Sequence, residues 1–154
     1  MKKHTYWIAV ILITITSSCF ENYEERYLFT DLRIEFQEAV VRNNAAGRDY
    51  PVLPLQPVGE RGYQVNLFGG QLRAAENLAF RVDEEASTAV EGIHYSLPND
   101  TYFQLEADSS FGEVVVEKLS FPSVQGQLIL VLELIGNENI VASENHKRIG
   151  VRLN

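Results

Sequence analysis

The chain of 154 residues has one cysteine, one methionine, one tryptophan and three histidines. A single cysteine excludes a disulfide framework within the chain and any zinc site built on paired thiolates. Basic residues are also scarce, with 13 Lys and Arg against 21 Asp and Glu and a formal charge of −8. Nucleic acid and anionic lipid both demand basic surface, and the balance here is the opposite. No apolar run reaches the roughly 20 residues of a membrane-spanning helix. The longest, Tyr6 to Ile15, has about half that length. Motifs of known chemistry are missing too: there is no H-E-x-x-H, G-x-S-x-G, P-loop or G-x-G-x-x-G. His94 and His146 stand far apart, in EGIHY and SENHKR, and read as turn or surface residues rather than metal ligands. The chain is therefore expected to be no enzyme, with no catalytic, cofactor-binding or metal-binding residue.

What is present begins at the amino terminus. Lys2 and Lys3 precede the apolar run, and the small residues Thr16, Ser17 and Ser18 follow it. Basic, apolar, then small is the order of a secretory signal. The usual A-x-A-like cleavage pair is absent. Instead, Ile15-Thr16-Ser17-Ser18-Cys19 resembles a bacterial lipobox. That resemblance implies cleavage before Cys19, a diacylglyceryl group on its sulfur and a further acyl chain on the freed amine. One chain holds a protein only marginally at a membrane, and two or more hold it stably. The expected division is a lipoprotein signal peptide at 1–18, an acidic tether at 19–30 and a sandwich domain at 31–154. Removing 18 of 154 residues leaves 136, and losing Lys2 and Lys3 moves the charge from −8 to −10. That length suffices for one domain with a core. The tether carries Glu21, Glu24 and Glu25. It resembles the acidic stretch behind the lipidated cysteine of Bacteroidota lipoproteins exported to the outer face of the outer membrane. The implied location is the outer membrane, lipid-anchored and facing the cell exterior.

From residue 31 the dominant period is two, the signature of strands with one wet face. Leu32, Ile34 and Phe36 alternate with Arg33, Glu35 and Gln37, and the pattern recurs in GYQVNLF, NLAFRVD, TYFQLEA and KRIGVRLN. Val114 to Val116 and Leu128 to Leu132 are continuously apolar and fit central strands covered on much of both faces. Turn residues recur between these runs: Asn43-Asn44 with Gly47, Gly69-Gly70, Pro98-Asn99-Asp100, Ser109 to Gly112, Pro122 to Gly126 and Gly136-Asn137. Tyr50 to Pro57 has proline at every third place and reads as an edge strand, where the missing N–H is tolerated. Gln71 to Asn77 is the one stretch with a helical leaning. Short strands with regular turns predict an all-β sandwich. Among the aromatic residues on these strands, Tyr95, Tyr102 and Phe103 are candidates either for the core or for stacking on a sugar.

Residues 78–153 carry a more specific order. FRVDEEASTAVEGIHYSLP is followed by FGEVVVEKLSF, LILVLEL and ASENHKRIGVRL. The order resembles the Calx-β type of Ig-like sandwich, with its T-A-x-x-G-x-D-Y element standing here as Thr88 to Tyr95. His94 occupies the place of the Asp in the D-Y pair. The resemblance implies an Ig-like β-sandwich. It leaves Asp83, Glu84, Glu85 and Glu91 as the only candidates for the calcium chemistry of that family, fewer than the six to eight oxygen ligands calcium takes. The lipobox, YLF-x-D-x-R-I-x-F, VDEE-x-S-T-A-x-E-G-x-HY and the closing A-S-E-N-x-K-x-I-x-V also resemble a family of Bacteroidota lipoproteins known as a domain of unknown function. Its members often occur with SusC/SusD-like glycan-uptake systems. The resemblance implies a non-catalytic accessory protein, with outer-membrane glycan-uptake proteins or polysaccharide as partners beside the membrane itself. The alternative is a structural or adhesive surface module acting through protein contacts.

Overall fold

The computed structural model describes residues 31–154. Cys19, the signal peptide at 1–18 and the tether at 19–30 lie outside the described residues. The elements are β1 (Arg33–Phe36), α1 (Gln37–Val41), β2 (Val52–Leu55), β3 (Gly59–Phe68), β4 (Glu76–Val82), β5 (Tyr95–Ser96), β6 (Tyr102–Leu105), β7 (Phe111–Lys118), β8 (Ile129–Gly136), β9 (Val141–Ala142) and β10 (Arg148–Arg152). The ladder runs β2-β10-β8-β4-β6-β7-β3-β1-β9, with β5 added on β7 and β9 returning to β8. Two junctions in it are thin. β6 meets β7 only at Leu105 and Gly112, and β8 meets β9 only at Gly136 and Val141. Between them lie two layers, β2-β10-β8-β4-β6 and β7-β3-β1-β9, folded face to face as a sandwich.

Period two decides which side chains fill the space between the layers. Leu78 and Phe80, Leu130, Leu132 and Leu134, and Ile149 and Val151 come from one layer. Ile34 and Phe36, Tyr63, Val65 and Leu67, and Val114 and Val116 come from the other. Burying each such side chain stabilises the fold by roughly 1.5–3 kcal/mol. The Leu128 to Leu132 run behaves as expected of a central strand, since β8 lies between β10 and β4. The Val114 to Val116 run does not: β7 opens the second layer, has β3 along one side and meets β6 only at Gly112, so Val114 and Val116 fill the core while Val115 is half-buried. The far side of β8, Ile129 and Val131, is covered by Tyr50, Val52 and Ala86 in a second, smaller cluster. β2 sits at the end of the ladder, as its prolines demand, and Pro54 denies that edge one donor.

Two further expectations need correction. Gln71 to Asn77 forms no helix; β4 starts inside it at Glu76, and Leu72 plugs into the core while its carbonyl accepts from the Asp108 N–H. Tertiary contacts there outweigh the weak preference for a helical turn. The helix stands instead at Gln37–Val41, directly after β1, where Gln, Glu and Ala are good helix formers and Ala39 is buried. Gly112, expected in a turn, lies within β7.

Two glycines fix the geometry at one end. Gly136, at φ 87°, lets the chain turn under the Ile140 carbonyl, where a Cβ would collide. Gly69, at φ 91°, packs against the Asp31 carbonyl in the same way. Since Arg33 pairs with Phe68, the described chain enters the sandwich at the end where β3 finishes.

Candidate functional site

The motif-bearing segment after β4 has a structural task that its sequence encodes. β4 stops at Val82, opposite Leu132, whereas β8 begins three residues earlier at Ile129. The backbone of Ile129 and Val131 therefore has no strand on that side, and buried peptide groups must find partners. Residues 83–89 supply them. The Asp83 N–H donates to the Val131 carbonyl at 2.9 Å, and the Thr88 and Ala89 N–H groups donate to that of Ile129 at 2.8 and 3.2 Å. The reverse bonds use side chains: Ser87 Oγ accepts from the Val131 N–H and Thr88 Oγ1 from the Ile129 N–H, each at 2.9 Å. Thr88 Oγ1 also donates to the Gln127 carbonyl at 2.9 Å. The Ser-Thr pair is thus a substitute strand edge.

His94 closes the next turn. Its Nδ1 accepts from the Val90 N–H at 2.9 Å, and its own N–H donates to the Val90 carbonyl at 2.9 Å. The ring meets Phe121 edge-on, with centroids 4.9 Å apart. A ring nitrogen here provides the acceptor that a carboxylate oxygen would give, and nothing about it suggests a metal ligand. Tyr95 beside it is buried, and burial, with Glu91 and Glu84 adding to it, pushes its phenol up to about 12.

The outward face next to this loop carries a charged cluster. Asp83 Oδ1 accepts from the Ala86 N–H at 3.1 Å, and its Oδ2 is held by Arg148. The other arm of Arg148 reaches Asp49 at 3.0 Å, and the guanidinium lies 4.8 Å above the centre of the Tyr50 ring. One strand across, Glu133 accepts from Arg81 at 2.9 and 2.7 Å and faces Lys147 at 3.4 Å, while Lys147 also reaches Glu144 at 2.9 Å. The hydrogen bond to Glu133 holds the Arg81 pKa up, and the one to Glu144 does the same for Lys147. These residues do not fit a calcium site. Asp83 is engaged by a cation, and Glu84, Glu85 and Glu91 point into solvent. Among the described residues no three His, Cys, Asp or Glu side chains come together.

Gln56 is the buried polar centre that sequence reading missed. Its Nε2 donates to the carbonyls of Gly59 and Val116 at 3.1 and 3.0 Å, and its Oε1 accepts from the Tyr63 hydroxyl at 2.7 Å. Its backbone N–H donates to the Arg152 carbonyl, and its carbonyl accepts from Lys118 Nζ, both at 2.9 Å. Burial drives the Tyr63 phenol well above its ordinary range, with Arg61 offsetting part of the shift.

This geometry has known counterparts. The fold is Calx-β-like. The apo-form Calx CBD1 domain is similar with a TM-score of 0.52 and 12% identity, over 80% of this chain and 98% of that one. CBD12 from CALX1.2 is similar with a TM-score of 0.53 and 11% identity, over 78% of this chain; this chain spans 44% of that structure's length. At such identity the likeness shows the fold alone. No family model and no curated protein matches the sequence.

Of the three aromatic candidates for stacking, Tyr95 and Phe103 are core residues, each 3% exposed. Tyr102 alone faces solvent, at 54%. His146 rests against Glu35, with Nδ1 3.1 Å from the carboxylate, on the β1 side of the sandwich and away from His94. The signal that could have found Ser87 and Thr88 is their place beside the start of the longest apolar strand. For Gln56 there was none beyond a lone polar residue between prolines.

Proposed function

We propose that the protein is a non-catalytic binding or assembly component of a glycan-uptake system, anchored by lipid on Cys19 to the outer membrane and facing the cell exterior. The observation that carries this reading is the position of the chain's entry into the sandwich. Asp31 and Arg33 lie beside Gly69 and Phe68 at one end. A short acidic tether there would hold that end near the membrane and present the strand faces and the opposite loops outward. Fractionation tests the anchoring. The full chain should sediment with outer membranes, incorporate a palmitate analogue and be lost when intact cells are treated with protease. Cys19→Ala should be released in soluble form, and a variant that still sediments and labels would refute the lipid anchor. Replacing Glu21, Glu24 and Glu25 by Ala should protect the protein from external protease. The accessory role is tested by co-purification in mild detergent with a SusC/SusD-like pair; recovery without them counts against it.

The alternative, a structural or adhesive module, has one observation in its favour. Leu55, Val58, Val90, Ile93 and Val124 are all exposed. Leu55 closes β2 and the other four sit on connectors, at the end where β3 begins opposite the close of β7, away from the entering chain. Exposed apolar side chains grouped at this tip would offer a surface for protein contacts.

A further inference from the structure

We propose that the outward face of β6, β4 and β8 binds a neutral glycan, with Tyr102 as the stacking residue and Asn77 and Gln104 as its hydrogen-bonding residues. This deepens the reading above and rests on it. Alternation turns Asn77, Ala79 and Arg81 of β4 outward, together with Tyr102 and Gln104 of β6. Register sets Ala79 opposite Tyr102 and Asn77 opposite Gln104. On the other flank, Ala79 opposes Gly136 and Phe80 opposes Leu134, so Ile135 is an extra residue and stands outward, 45% exposed. Ala79 contributes only a methyl between Tyr102 and Ile135. The middle strand is therefore lower than its neighbours, and the face forms a trough roughly 10 Å across, two strand spacings.

Two features select the occupant. Among the described residues, neither amide nor the Tyr102 hydroxyl has a hydrogen-bond partner. An apolar protein patch would strip water from these groups and return nothing, which is unfavourable. A pyranose offers what the trough needs: one face of C–H groups for the ring and a rim of hydroxyls for the amides. The second feature is charge. Arg81, the cation of this face, is taken up by Glu133 at 2.7 Å, and the chain carries a formal charge of −8. Nothing here would receive the carboxylates or sulfates of an acidic polysaccharide.

The test uses the full chain in mild detergent, run through native gels cast with mixed-linkage β-glucan, galactomannan, arabinoxylan or dextran, and with polygalacturonate as the anionic counterpart. Retardation is expected in at least one neutral gel and not in polygalacturonate. Tyr102→Ala should weaken it by at least about tenfold, and Asn77→Ala or Gln104→Ala by about threefold or more. Phe111→Ala, an exposed aromatic on the outward face of the other layer, should leave it unchanged. Circular dichroism should be the same for all four variants, since every replaced side chain is exposed. Equal retardation of wild type and Tyr102→Ala would overturn this face as the site while leaving the glycan reading intact. Retardation by polygalacturonate alone would overturn the neutral ligand. No retardation in any gel would overturn both the site and the glycan reading and favour the protein-contact alternative.

Discussion

Gln56 shows how one residue can hold two layers together. Its side chain joins the β2–β3 turn to β7 and gives Tyr63 a partner inside the core, while its backbone N–H binds β10. Gln56→Leu would keep the volume, leave the Tyr63 hydroxyl without a partner and remove the side-chain bonds to the Gly59 and Val116 carbonyls. The expected loss is roughly 2–4 kcal/mol, measured by urea denaturation. Combining it with Tyr63→Phe should recover part of that loss, because the orphaned hydroxyl goes too. The buried phenols make a second prediction, on pH. Tyr63 and Tyr95 both have pKa values raised above 10.0, so the folded state prefers them protonated. Their contribution is fully present below about pH 10 and is lost as pH rises past it, for Tyr95 up to about 12. In that window each phenol should lower stability by at most about 1.4 kcal/mol per pH unit. Denaturation at pH 8 and 9 should agree, with a fall between 10 and 11 that Tyr63→Phe makes shallower. A flat profile would show that neither phenol is sequestered.

At the scale of elements, β8 makes the clearest prediction. Leu130 belongs to the main core and Val131 to the smaller cluster with Tyr50 and Ala86, and both are fully buried. Leu130→Ala should cost about 2–5 kcal/mol, and Val131→Ala roughly 2 kcal/mol, because it removes less volume. If Val131→Ala is silent, the cover over that side is loose. Strands of four residues or more were legible in the sequence wherever period two ran unbroken, as in β1, β3, β4, β6 and β10. β8 was legible for a different reason, its uninterrupted apolar run between turns. β5 and β9 were not legible, since two residues have no period. α1 was hidden because Gln37 continued the alternation of β1 while the backbone had already changed. The candidate site was legible only in pieces. Tyr102 stood out as an aromatic residue on the wet side of a period-two strand, but its neighbours Ala79 and Ile135 are set by register, which the sequence does not state.

For the whole molecule, the Calx-β-like fold invites the question of calcium, and the charged cluster answers it. Arg148 lies between Asp83 and Asp49, where it ties two acidic loops to β10 with a covalently attached cation. Millimolar calcium should therefore produce no binding heat and no shift in Tm; a clear rise, which linkage requires of a site present only in the folded state, would show that the acidic loops rearrange. The two thin junctions of the ladder also matter here, because the layers depend on the shared core far more than on continuous pairing.

The hydroxyl edge of β8 gives one strand two clocks. The Leu130 and Leu132 positions pair with Val151 and Ile149, so release of those amides waits for β10 to separate. The amides of Ile129 and Val131 are held only by Thr88 and Ser87, and a lift of the 83–89 loop with one χ1 rotation frees each of them. Deuterium should enter at Ile129 and Val131 sooner than at Leu130 and Leu132, residue by residue along the same strand. With Ser87→Ala, Val131 should exchange faster still while Leu130 keeps its rate. A loop that is silent in any equilibrium structure would then have a measurable lifetime.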